Sequence, residues 1–320
     1  MAALFVLNVS YGDVSIPIAD QFYILSSGKA EISSWSYILE NRLFRSITAV
    51  LGGGALAVSG LILQVYFRNP LAGPGVLGIT SGASLGVAAV ILGGFALENQ
   101  LTGVSVILSG VIGASLVLFL LLFLSRFIRN QVTLLVVGLM IGYFTAAFVN
   151  TLFLWADQSE TRAFVIWGLG SFEGLDKTQL ITFALLVLLV TFISVFTVKG
   201  LNAMALGHEY LRSLGIRTAR LKLLMIIITS VLAATVTVYC GPISFIGIAV
   251  PQIIRLISRS KNHAFLIPAC FLGGAFLGIS SDLIVRLSAN SLPLNTVTAL
   301  VGAPIIIWTI IKMNRQFASL

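Results

Sequence analysis

Asp282 and Arg286 stand four residues apart, a spacing that puts a carboxylate and a guanidinium on one helix face, and the chemistry open to them is an ion pair. The other reactive side chains are not arranged to do more. Cys240 and Cys270 sit in apolar stretches with no ligand partners at metal spacing, which argues against a disulfide framework or a zinc site. His208 and His263 lie in polar segments and form no metal or haem motif. No nucleophile beside a base and no metal cluster stands out, and no G-x-x-x-x-G-K followed by Ser or Thr is present to cradle a nucleotide. The chain therefore reads as a non-enzyme, with no catalytic residue, no metal and no cofactor.

The elements that must carry these residues are membrane spans. Of 320 residues 58% are hydrophobic and 9% charged, and the mean hydropathy is +1.05; a soluble domain holds about 25% charged residues. At roughly 20 residues per crossing, uncharged stretches fall at 46–67, 75–97, 101–125, 132–156 and 178–198. Leu223–Ile254 is too long for one span and is broken by Gly241-Pro242, so it reads as two helices. Stretches at 264–281 and 294–311 complete nine crossings, and Met1–Tyr11 reads as the end of a tenth, shortened one. The N-terminus has neither a basic leader nor a clear cleavage site and does not read as a signal peptide.

Charge orients the spans. Assigning the span ends alternately puts thirteen basic residues and one acid on one face, a net of +12, and six basic residues and ten acids on the other, a net of −4. The basic face is the cytoplasmic one. Basic residues that punctuate apolar segments in this way are topology signals, and nucleic-acid binding is excluded despite the net charge of +8. Glycines repeat every four residues at Gly78/Gly82/Gly86, Gly138/Gly142 and Gly274/Gly278, a pattern that lets helices pack closely in lipid.

The span centres carry no ionisable relay of the kind that proton- or ion-coupled transporters use. If ATP drives transport, the ATPase is a separate chain and needs a docking surface. Lys199–Lys222, reading KGLNAMALGHEYLRSLGIRTARLK, fits that need. Leu201, Met204 and Leu206 precede Gly207, and Leu211 and Leu214 precede Gly215, which parses as two short helices each closed by glycine. The other reading of the segment is an amphipathic loop lying on the membrane surface.

That segment resembles the coupling region of the FecCD/BtuC-type permeases, importers of iron-siderophores, haem and cobalamin. Gly60–Leu77, GLILQVYFRNPLAGPGVL, is similar to the family block G-x-x-x-Q-x-x-x-R-N-P-L-A-x-P-x-x-L-G, which Gly78 completes. Gly241–Arg255, GPISFIGIAVPQIIR, and Leu292–Ile307, LPLNTVTALVGAPIII, resemble two further family blocks, and all four stand in family order from about Arg42 to Lys312. The resemblance implies an all-α polytopic membrane protein: one permease domain over 1–320 with about ten transmembrane helices, the first shortened, in the BtuC-like type II importer fold. It implies a homodimer in lipid in the bacterial inner membrane, two cytoplasmic ATPase subunits, an external substrate-binding protein, and alternating access along the dimer axis. The alternative class is an ion- or proton-coupled secondary transporter or exporter.

The resemblance also assigns roles. Leu206, Gly207, Leu211, Leu214 and Gly215 belong to the ATPase-coupling element. Asn69 and Leu71, in a turn where Pro70 and Pro74 prevent a continuous helix, form one half of a cytoplasmic gate, and Asn130 and Gln131 the other, with a plain helix–helix turn as the simpler reading. Arg42, Arg45 and Arg286 dock acidic residues of the binding protein, a use that suits guanidinium forks; the simpler reading is membrane-interface anchors. Arg68, Arg255 and Arg259 need no more than the positive-inside rule. Phe44, where the family carries proline, and Gln252, where it carries histidine, depart from the pattern.

Overall fold

The computed structural model describes residues 1–12, 14–27, 33–93, 103–128, 130–207, 211, 218–288 and 291–318. Among them are thirteen α-helices: α1 (Ala2–Ser10), α2 (Ile18–Ser27), α3 (Ser33–Phe67), α4 (Ile79–Ile91), α5 (Gly103–Leu124), α6 (Gln131–Leu152), α7 (Gln158–Gly168), α8 (Lys177–Val195), α9 (Val198–Leu206), α10 (Thr218–Cys240), α11 (Ile246–Ser258), α12 (His263–Leu287) and α13 (Leu294–Ala318). No strand occurs among the described residues. Six helices, α3, α5, α6, α8, α10 and α12, are long and apolar enough to cross a membrane. The shorter apolar helices α4, α11 and α13 fall on the other three expected crossings.

The boundaries differ from the sequence reading where charge or proline was taken as a helix end. α3 begins at Ser33, thirteen residues before the expected Ser46. It carries Glu40, Arg42 and Arg45 on its outer extension, because charges outside the hydrocarbon do not stop a helix. The second crossing starts late: Pro74–Leu77 forms a 3-10 turn, and Gly78 takes a left-handed conformation (φ 74°) before α4. Gly78 thus makes the turn into α4 as well as belonging to the glycine repeat. α2 and α7 are short helices outside the expected crossings. The break at Gly241-Pro242 lies where expected, with α10 ending at Cys240 and α11 opening at Ile246. Local capping fixes other starts: Asp176 Oδ1 accepts from the Gln179 amide to open α8, and Asn262 Oδ1 accepts from the Ala264 amide to open α12.

α3 is the axis of the bundle. Its residues Ala55–Leu63 are buried, and it packs on α12, α10 and α11. Small residues allow the approach. A Cβ at Gly53 would strike the Gly274 carbonyl, and one at Gly60 would strike the Gly247 carbonyl, so α3 meets α12 and α11 backbone to backbone. α4 and α5 meet in the same way, Gly86 against Ser109 and Gly113 against Gly82. Lipid gives helices no hydrophobic reason to associate, so this close van der Waals contact is what holds them. Large apolar side chains on α5, α6 and α8, such as Phe119, Phe144 and Leu185, point outward.

Candidate functional site

The three docking candidates come together. Arg42 and Arg45 from α3 and Arg286 from α12 line one outer cleft of about 230 Å³, with Gly12, Tyr37 and Glu173 on its walls. Their guanidiniums are not spread on an open surface: the three residues are 7%, 8% and 5% exposed. Asp282, 1% exposed, sits between two of them. Its Oδ1 accepts from Arg45 Nε at 2.7 Å and its Oδ2 from Arg286 Nε at 3.1 Å, so the pair read from the i, i+4 spacing is present and has a second arginine. Asn8 Nδ2 also donates to Oδ2, at 3.2 Å. Arg45 Nη1 reaches Glu173 at 2.8 Å, on an arm whose side chain is 64% exposed. Arg286 Nη1 donates to the carbonyls of Asn8 (2.8 Å) and Tyr11 (3.2 Å), and Arg42 Nη2 donates to that of Val14 (2.6 Å). Within the chain, Asp282 pairs with both Arg45 and Arg286, and Glu173 with Arg45. The physical reason is burial, because a guanidinium removed from water needs a counter-charge at hand. Asn8, Ser46 and Glu173 complete the cluster and were not singled out in the sequence; Ser46 Oγ donates to Asn8 Oδ1 at 3.1 Å.

At the opposite end, α3 stops at Phe67 and Arg68 turns the chain with φ 50°. Asn69 Oδ1 accepts from the Leu71 amide at 2.9 Å, an Asx turn that leaves Leu71 exposed. Asn130 caps α6 by accepting from the Val132 amide at 2.9 Å. Gln131 is the first residue of α6, and its Nε2 is buried without a partner among the described residues. The 3-10 turn that follows Gly73 packs on α6.

Gln252 has a definite place in this region. Its Nε2 donates to Gln64 Oε1 at 3.0 Å and to the Pro70 carbonyl at 2.9 Å. Arg255 Nη1 donates to the same Gln64 oxygen at 3.2 Å, and Gln64 Nε2 to the Ile248 carbonyl at 3.2 Å. One nitrogen of Gln252 thus fastens two things to α11, the Asn69–Leu71 turn through the Pro70 carbonyl and α3 through Gln64. A histidine Nε2 has one hydrogen to give, and its charge varies with pH.

α9 is the first of the two short helices read in Lys199–Lys222, and it closes at Gly207 with φ 128° and ψ 162°, a region open essentially to glycine. Leu201 and Met204 are buried in the core, whereas Leu206 is 70% exposed at the helix end. Leu211 is buried, and Leu214 and Gly215 lie outside the described residues. Asn202 fastens α9 to α12: its Oδ1 accepts from the His263 amide at 2.9 Å and lies 2.7 Å from His263 Nδ1, and its Nδ2 donates to Asn262 at 3.0 Å. α12 therefore runs from the base of α9 to the arginine cluster at the far end. Among the described residues no group of His, Cys, Asp and Glu could hold a metal, and both cysteines are free and buried.

A helical bundle with six apolar helices long enough to cross a membrane among the described residues, held by glycine contacts and carrying polar clusters at its two ends, defines a multi-pass membrane transport subunit. Residues 1–312 match the FecCD transport family, and the chain belongs to it. It is a permease subunit of an importer whose ATP hydrolysis resides in a separate subunit. The chain is 35% identical over 293 residues to the vitamin B12 import system permease protein BtuC of Klebsiella pneumoniae, covering 91% of this chain and 86% of that protein. It is 34% identical over 285 residues to the hemin transport system permease protein HmuU of Yersinia pestis, covering 88% and 85%. A solved inward-facing conformation of a metal-chelate type ABC transporter matches with a TM-score of 0.83 at 27% identity, over 97% of this chain and 95% of that one.

Proposed function

We propose that this permease carries a metal chelate of the siderophore, haem or cobalamin kind across the bacterial inner membrane, as a homodimer with two ATPase subunits and an external binding protein. The observation that carries the reading is the likeness along nearly the whole chain to the inward-facing metal-chelate transporter, supported by relatives named for vitamin B12 and for hemin. Bulky chelates need a wide path between subunits rather than a charged relay, and the bare span centres suit that. α9 with its exposed Leu206 is the ATPase-coupling contact. The Asn69–Leu71 turn and the start of α6 are the cytoplasmic gate. The outer cleft of Arg42, Arg45 and Arg286 is the docking site, and a carboxylate of the binding protein reaches Arg45 by displacing the exposed arm of Glu173.

The test is uptake into sealed vesicles that carry this permease with its ATPase and binding protein. ATP-dependent accumulation of the chelate that persists when the membrane potential is dissipated is the expected result. Uptake that collapses with the potential and ignores ATP would return the chain to the ion-coupled class.

A further inference from the structure

We propose that the crevice between α5 and α10 binds an anionic phospholipid of the cytoplasmic leaflet. The crevice has a volume of about 1270 Å³, above the roughly 300–1,000 Å³ of ordinary small-ligand pockets. Phe119 and Phe123 of α5 and Leu223 of α10 supply apolar walls, and Arg126, Arg220 and Lys222 supply charge. The charges sit at one end. Arg126 follows the last residue of α5 by two positions, and Arg220 and Lys222 lie in the first turns of α10.

Two observations say what covers it. The first is charge without compensation. The ion pairs between described residues join Arg45 and Arg286 to Asp282 and Glu173, and Arg126, Arg220 and Lys222 have no such partner among those residues. The second is the face that runs away from the mouth. Phe123, Phe119, Leu116 and Ile112 are all exposed and recur at helical spacing along one side of α5, and Phe127, just past its end, is exposed as well. A phosphate headgroup answers the first and acyl chains answer the second. The positive-inside rule explains the sign of this end. It would be satisfied by basic residues scattered anywhere there, and does not explain three that converge on an apolar-walled crevice. Arginine forks suit phosphate oxygens, and basic residues at this depth attract anionic lipid. The inference rests on the membrane topology and not on the identity of the cargo.

Bromine on acyl chains quenches tryptophan at contact, which gives the test. The full-length protein carrying Phe123→Trp, purified in detergent, is titrated with brominated phosphatidylglycerol and with brominated phosphatidylcholine, and the signal of the unsubstituted protein is subtracted. The expected half-quenching concentration is roughly tenfold lower for the anionic lipid, and Arg126→Gln/Arg220→Gln/Lys222→Gln removes the preference. Should that triple variant fail to fold, Arg220→Gln alone, at an exposed position, is expected to reduce the preference about two- to threefold. Equal quenching by the two lipids, or a preference that survives these substitutions, overturns the proposal. So does loss of quenching on adding inorganic phosphate alone, which makes the site one for free anions, or on adding the ATPase, which makes it a protein interface.

Discussion

Replacing Asp282 with asparagine removes the charge on which the outer cluster turns while keeping the side-chain shape. The carboxylate accepts from Arg45 Nε, Arg286 Nε and Asn8 Nδ2, and it is 1% exposed. Arg45 keeps Glu173, but that pair reaches solvent and is worth about 0–1 kcal/mol. Arg286 keeps two backbone carbonyls and no counter-charge. Removing one partner of a buried pair costs about 3–5 kcal/mol, since it leaves the other charge buried and uncompensated. The strain has a local outlet. The groups that share Asp282 and Arg286 are Asn8 and the carbonyls of Asn8 and Tyr11, at the end of the nine-residue α1. Asp282→Asn should therefore detach α1 before it unfolds the bundle. Hydrogen exchange read by mass spectrometry should show loss of protection confined to the α1 peptide, and the melting temperature in detergent should fall by several degrees. Asp282→Leu with Arg286→Met, which removes both charges, should recover part of the loss, because apolar replacement of a buried pair is often neutral. If Asp282→Asn leaves exchange in α1 and the melting temperature unchanged, the cluster is not what secures α1, and the reasoning fails.

Other outcomes follow from the same geometry. Gly207→Val meets open space at its Cβ but must hold a backbone at φ 128° that costs about 1–3 kcal/mol for a side-chain-bearing residue, so α9 should be misaimed and ATP hydrolysis uncoupled from transport at normal membrane expression; coupled transport at the parent rate would reject α9 as the ATPase contact. Gln252→Leu strands the Pro70 carbonyl at a cost of about 1–3 kcal/mol, leaving Gln64 Oε1 to Arg255 alone, and should speed thiol labelling of Leu71→Cys, against a silent background because Cys240 and Cys270 are buried; an unchanged labelling rate would mean the turn holds itself. Glu173→Gln frees Arg45 from its exposed partner and should tighten binding-protein docking modestly, whereas Arg45→Glu should weaken it strongly and in a salt-dependent way; affinity blind to both would make the cleft purely structural. Gly60→Leu drives a side chain into the Gly247 carbonyl and should abolish stable insertion, as judged by monodisperse elution in detergent; a well-behaved Gly60→Leu protein would mean that α3 and α11 can part.

That the chain is built of apolar membrane-crossing helices was legible because hydropathy is a property of consecutive residues: a long stretch without charge belongs in hydrocarbon whatever the helices pack against. The break at Gly241-Pro242, the closure of α9 at Gly207 and the turn at Asn69-Pro70 are equally local, each set by what one or two residues permit the backbone to do. The same logic misjudged the start of α3, since charge marks the edge of the membrane and not the end of a helix. What the arginines do was not local. Arg45 reaches Asp282 across 237 residues and Asn8 reaches it across 274, so the counter-ion beside Arg45 could not be read until the bundle placed it there. What Gln252 does could not be read until folding set it against Gln64, 188 residues away, and against the Pro70 carbonyl. The basic crevice likewise exists only because the end of α5 and the start of α10 are neighbours in space. Hydropathy and backbone limits act within a few residues and can be read in order. Burial of a charge and the partner that compensates it depend on which distant helices meet, and that is decided by close packing in three dimensions.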